Sequence, residues 1–154
     1  MPSKTVIEDF LAQDHIAFVG VSRNPKEFAN AVYRNMRDGG RTLYPVNAGA
    51  DGAPLEGDPS YRSLADVPDP VDGVVVMVPA DGAADVVRDA VARGVPRVWL
   101  HRGFGRGAVS DEAVELCRAH GIDVVDGACP LMFDGDVRGA HRLHRFFVRK
   151  RLAA

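Results

Sequence analysis

Ile16-Ala17-Phe18-Val19-Gly20-Val21-Ser22-Arg23-Asn24-Pro25 runs from an apolar β-type segment through a glycine into a polar turn. A helical pattern follows from about Glu27 to Asp38. Strand, tight turn and helix in that order form the anion site of many α/β proteins. The turn aims backbone N–H groups at an anion, and the helix N-terminus adds partial positive charge.

The pattern repeats downstream. Thr42-Leu43-Tyr44-Pro45-Val46 reads as a second strand, weakened where Pro45 lacks an N–H. Gly73-Val74-Val75-Val76-Met77-Val78 is the clearest β signal, and Arg97-Val98-Trp99-Leu100 and Ile122-Asp123-Val124-Val125 follow. Helices are expected between them. One runs from about Gly82 to Arg93, N-capped by Asp81; another starts at a Ser110 cap and ends near His120. In the first crossover helix, Phe28, Val32 and Met36 should face inward. Thr5 and Glu8 form a capping box for a helix over 3–14, and Tyr61 to Asp66 reads as a short helix. A further helix is expected over about 137–152.

Five strands alternating with helices imply a single α/β domain over 1–154. Its three-layer, Rossmann-like fold would have a parallel five-stranded sheet and helices on both faces. The simplest strand order is 3-2-1-4-5, and ligands in such folds bind beyond the C-terminal strand ends. That directs attention to the turns Gly20–Pro25, Pro45–Asn47, Val78–Asp81 and Leu100–Gly107.

The bulk composition fits this reading. The 154 residues are 46% apolar and 26% charged, which suits a chain with a real core. No apolar run approaches the ~20 residues of a membrane helix, and the N-terminus lacks signal-peptide character, so a cytoplasmic protein is expected. Cys117 and Cys129 make no disulfide framework and no metal cluster. Net charge is −2, but six Lys/Arg and no Asp/Glu follow position 137. The acidic body argues against nucleic-acid binding. In the tail, Arg138, Arg142, Arg145 and Arg149 share one helical face, opposite Leu143, Phe146 and Phe147. That helix is the expected surface for a protein partner or a homo-oligomer.

The nature of the ligand turns on the glycines. The dinucleotide fingerprint G-x-G-x-x-G is not met, because Ser22 and Pro25 stand at its second and third glycines. The carboxylate that would hold a ribose at the end of the second strand is replaced by Asn47-Ala48. Ser22 can donate its hydroxyl to a phosphate, and Arg23 and Lys26 are placed to serve as phosphate cations.

Several motifs together carry a resemblance. They are Val19-Gly20-Val21-Ser22 with Pro25, then Leu43-Tyr44-Pro45-Val46-Asn47, Pro70-Val71-Asp72 before the valine strand, Val98-Trp99-Leu100-His101 with Gly103, and Asp126 with Cys129-Pro130. In this order, over about residues 12–133, the chain resembles the stand-alone CoA-binding domain proteins. These are similar to the N-terminal CoA-binding domain of the succinyl-CoA synthetase α subunit. The resemblance implies that Gly20, Val21, Ser22 and Arg23 meet the CoA phosphates, and that Tyr44, Pro45 and Val46 border the adenine. It also implies that Val78 and Pro79 lie between nucleotide and pantetheine, and that Leu100, His101 and Arg102 lie at the ligand edge.

The chain departs from the family's pattern: His101 stands where the family usually has Gln, and Asn47-Ala48 where it usually has Asn-Pro. Arg41 and Arg62 are also out of place for the phosphate-binding lysine of the synthetase. The synthetase's phosphorylated histidine lies in a second domain, so no catalytic residue is carried over. Gly103, Gly105 and Gly107 read as a rim loop rather than a second phosphate loop. The resulting expectation is a non-catalytic CoA or acyl-CoA binding protein: a sensor, a carrier or an accessory subunit. The alternatives are an NAD(P)-binding oxidoreductase-like protein and an interaction module acting through the arginine-faced tail.

Overall fold

Gly73–Val76 (β3) is buried at every residue, and the sheet places it at the centre. A computed structural model describes residues 2–102 and 107–133. The other strands are His15–Val19 (β1), Thr42–Val46 (β2), Arg97–His101 (β4) and Asp123–Ala128 (β5). The helices are Lys4–Leu11 (α1), Phe28–Asp38 (α2), Ala80–Arg93 (α3) and Asp111–Ala119 (α4). The helix expected over 137–152 lies outside the described residues.

All strand pairs are parallel, and the order is β2-β1-β3-β4-β5. The α/β class and the parallel five-stranded sheet are as expected, but the order 3-2-1-4-5 is not. Two strand sequences explain the difference. An all-apolar Gly-Val-Val-Val run needs neighbours on both sides and cover on both faces. Pro45 lacks a donor and is tolerated best on an edge strand. β3 therefore takes the place beside β1, with Ile16 opposite Gly73 and Val19 opposite Val76. β2 takes the edge, with Phe18 opposite Pro45.

The alternation along the strands builds two cores. Ile16, Phe18, Val75, Trp99 and Val125 pack under α1 and α2. Ala17, Val74, Val76, Val98 and Leu100 pack under α3 and α4. Trp99 meets Phe10 edge to face at 5.3 Å and donates Nε1–H to the Ala128 carbonyl. The Arg41 guanidinium is buried at the end of the sheet opposite the turns, donating to the carbonyls of Leu11 and Met36. It ties the C-terminal ends of α1 and α2 together and is unavailable to a phosphate.

Local details differ from expectation where backbone geometry outweighs spacing. Ser3, not Thr5, caps α1, its Oγ accepting from Val6 N. α3 begins two residues early, with Pro79 at the N-cap and Asp81 in the first turn. The segment after Tyr61 forms only a 3-10 turn at Leu64–Asp66. Ser110 caps α4 as expected, through Ala113 N.

Candidate functional site

The strand order moves the point where the sheet reverses direction to the gap between β1 and β3. Gly20 sits there with φ +119, and a Cβ on it would lie 2.3 Å from the Met77 carbonyl oxygen. Only glycine allows this approach. Gly20 N donates to Val46 O, and Met77 N to Val19 O, so the turn is anchored to both neighbouring strands.

Two amide side chains then hold the turn from opposite sides. Asn30, 1% exposed, accepts from Ser22 N and donates to Ser22 O, each at 2.8 Å. Asn47 donates to Val21 O at 2.8 Å while its Oδ1 accepts from Gly49 N. Within the turn, Asn24 N donates to Ser22 Oγ, and Lys26 N to Asn24 Oδ1. The amides of Arg23, Phe28 and Ala29 have no acceptor among the described residues. Three N–H groups, one in the turn and two at the start of α2, are thus left for an anion.

The charge around the turn is sorted in the same way. Arg34 pairs with Glu56 at 2.7 Å and Arg37 with Asp58 at 2.8 Å. Asn30 Nδ2 also reaches Glu56 Oε1. Burial pushes the Glu56 carboxyl up, but the hydrogen bonds from Asn30 and Arg34 and the nearby guanidinium charges outweigh it, holding it below the usual carboxylate range. Tyr33 donates to Asp58, and burial together with that bond raises its phenol well above the ordinary value. Arg62 pairs with Asp51. Arg23 and Lys26 are exposed and make no ion pair within the described residues.

The other expected residues divide by exposure. Val21, Pro45, Val46 and Leu100 are buried, so they can offer a ligand only their backbone. Ser22, Tyr44, Asn47 and Val78 are partly exposed, while Pro79 and Arg102 are exposed. Tyr44 meets Tyr61 edge to face at 6.0 Å.

A cavity of about 660 Å³ opens beyond the ends of β4 and β5, lined mainly by Phe28, His101, Arg102, Ala128, Cys129 and Met132. His101 and Arg102 were expected at the ligand edge. Phe28 was expected on the inner face of α2 but is 53% exposed. As the first residue of the helix it projects past the sheet, its ring 5.8 Å from that of His101. Its helical spacing with Val32 and Met36 concealed this; its place at the helix start was the available signal. His101 is 7% exposed and its Nε2 has no partner among the described residues. Burial pushes its pKa below the usual histidine value. Burial likewise raises the Cys129 thiol, against a backbone hydrogen bond from Leu131 that lowers it. Gly107 has φ +58 and packs so closely on the His101 carbonyl that a Cβ would lie 2.3 Å from it.

A parallel sheet, a glycine turn at its reversal point and open amides at the following helix define a Rossmann-like α/β protein. The chain belongs to the CoA binding domain family, whose model matches residues 14–134. Bacillus subtilis YneT is 29% identical over 129 residues, covering 83% of this chain and 91% of that protein. The II subunit alpha of an ADP-forming acetate–CoA ligase from Pyrococcus furiosus is 26% identical over 132 residues. That alignment covers 80% of this chain but only 28% of the ligase subunit. A solved structure from Thermus thermophilus superposes with TM-score 0.76 at 28% identity, covering 88% of this chain and 98% of that one. No helix among the described residues is long and apolar enough to cross a membrane.

Proposed function

We propose that this chain binds CoA or an acyl-CoA at the C-terminal ends of β1, β3 and β4, without catalysing a reaction. Family membership over residues 14–134 carries the reading. The open amides of Arg23, Phe28 and Ala29 support it chemically, with Arg23 and Lys26, which make no ion pair among the described residues, since they would take the ligand's phosphates. Gly20, Val21 and Ser22 would shape the turn around them. Tyr44, Pro45, Val46 and Asn47 would flank the adenine side, and Val78 and Pro79 the path toward pantetheine. Leu100, His101 and Arg102 would close the far edge. In this reading the protein works in the cytoplasm as a carrier, a sensor or an accessory subunit.

The NAD(P) reading has less support. Asn47 stands where a ribose carboxylate would be needed, and both ends of its amide are engaged inside the protein.

Calorimetric titration with CoA, acetyl-CoA, NAD and NADP tests the proposal. Binding of CoA or acetyl-CoA, abolished by Ser22→Glu, is the expected result. Binding of NAD or NADP alone overturns it, and silence with all four ligands favours an interaction module instead.

A further inference from the structure

The first-turn chemistry accounts for phosphates but leaves the cavity at the ends of β4 and β5 without a role. Three observations converge there. Its volume, about 660 Å³, lies well inside the range of small-molecule sites. Phe28, Leu131 and Met132 are the exposed large hydrophobic residues among those described, and two of them, Phe28 and Met132, line it. His101 also lines it, with a buried Nε2 that lacks a partner among the described residues. An exposed apolar patch marks a binding surface, and an orphaned buried nitrogen marks a place for one polar ligand atom.

Phe28 joins this cavity to the anion site. Its backbone amide is one of the open N–H groups, and its ring is one cavity wall. A ligand with a phosphate at the turn can therefore place its other end in the cavity. Arg102 is the charged lining residue, and it is exposed, at the rim rather than among the buried walls. The interior is walled by Phe28, Ala128, Cys129 and Met132 around the lone imidazole.

We infer that this cavity receives the acyl group of a CoA thioester, specifically an uncharged aliphatic or aromatic acyl, with His101 Nε2 hydrogen-bonded to the acyl oxygen. The inference rests on the CoA reading above and narrows it to a substrate class. An acetyl methyl would leave most of the space unfilled, whereas a longer chain or a ring would bury against Phe28 and Met132. Each methylene removed from water is expected to raise affinity up to about fourfold. A carboxylate-tipped acyl would enter a space whose one buried polar group is held uncharged by its surroundings.

The test is calorimetry on the intact chain with CoA, acetyl-CoA, butyryl-CoA, benzoyl-CoA and succinyl-CoA. Butyryl-CoA and benzoyl-CoA are expected to bind about tenfold tighter than acetyl-CoA, and succinyl-CoA no tighter than acetyl-CoA. Phe28→Ser should reduce the ratio of butyryl-CoA to CoA affinity about fivefold or more, a readout that general loss of folded protein does not move. His101→Phe should reduce the same ratio, and His101→Gln, which keeps a donor, should largely restore it. Equal affinity for CoA and all four thioesters overturns the inference and leaves CoA binding standing, as does a preference for succinyl-CoA. Failure of every CoA species to bind removes the CoA reading itself.

Discussion

The Asn30 side chain closes both backbone groups of Ser22, accepting from its N–H and donating to its C=O at 2.8 Å each. A helix residue thereby fixes the turn that precedes its own helix. The same amide reaches Glu56, so the turn, α2 and the 51–58 loop are set by one buried group. Asn30→Ala should cost about 1–3 kcal/mol, lowering the melting temperature by several degrees, because buried partners lose their bonds. Asn30→Asp should be worse at neutral pH, since it sets a second carboxylate against Glu56. Thermal unfolding and CoA titration of both variants check this; unchanged affinity would show that the turn holds its shape without the clasp.

Gly20→Ala places a methyl group against the Met77 carbonyl in a backbone region that L-residues rarely occupy. The conformation alone costs about 1–3 kcal/mol, before the clash is counted. The variant should melt well below wild type and lose ligand binding, whereas alanine at Gly52, which has open space around it, should meet only the backbone strain.

Arg23→Ala and Lys26→Ala should separate binding from stability. Neither side chain has an ion-pair partner within the described residues, so stability should stay within about 0.5 kcal/mol. CoA affinity should fall about tenfold for each, and the dependence of binding on salt should weaken. A large loss of stability with unchanged affinity would assign these cations to the fold instead.

His101 links the site to pH. Burial holds its pKa below the usual histidine value of 6.5. As pH falls through about 6.5, the unfolded chain gains a proton that the folded chain refuses. Stability is therefore full above that pH and declines below it, down to the folded-state pKa. His101→Gln should remove this component, and denaturant unfolding of both proteins between pH 7.5 and 5 measures the difference. Parallel pH profiles would place the imidazole in contact with water.

The strands and crossover helices were legible because they depend on local signals: valine runs, caps and glycine stops. The order of the strands was not, since it is set by non-local competition between β2 and β3 for the place beside β1. Pro45 carried the clue, as a missing donor that favours an edge. The site was legible at Gly20 and Ser22, whose backbone roles follow from position. Asn47 was read as standing where a ribose carboxylate would be needed, and its amide in fact turns inward to Val21. Asn30 and Glu56 went unread because a buried amide on a helix and a glutamate with φ +51 in a loop have no pattern linking them.

Pro45 also determines what the outer rim of the sheet can do. It offers no amide to an incoming strand, and the next backbone groups are taken, with Tyr61 N donating to Pro45 O and Asn47 N to Tyr61 O. The β2 side is thus closed to growth by strand addition. Two copies of this chain cannot join their sheets there into one continuous ribbon, and an extended peptide finds no template along that margin.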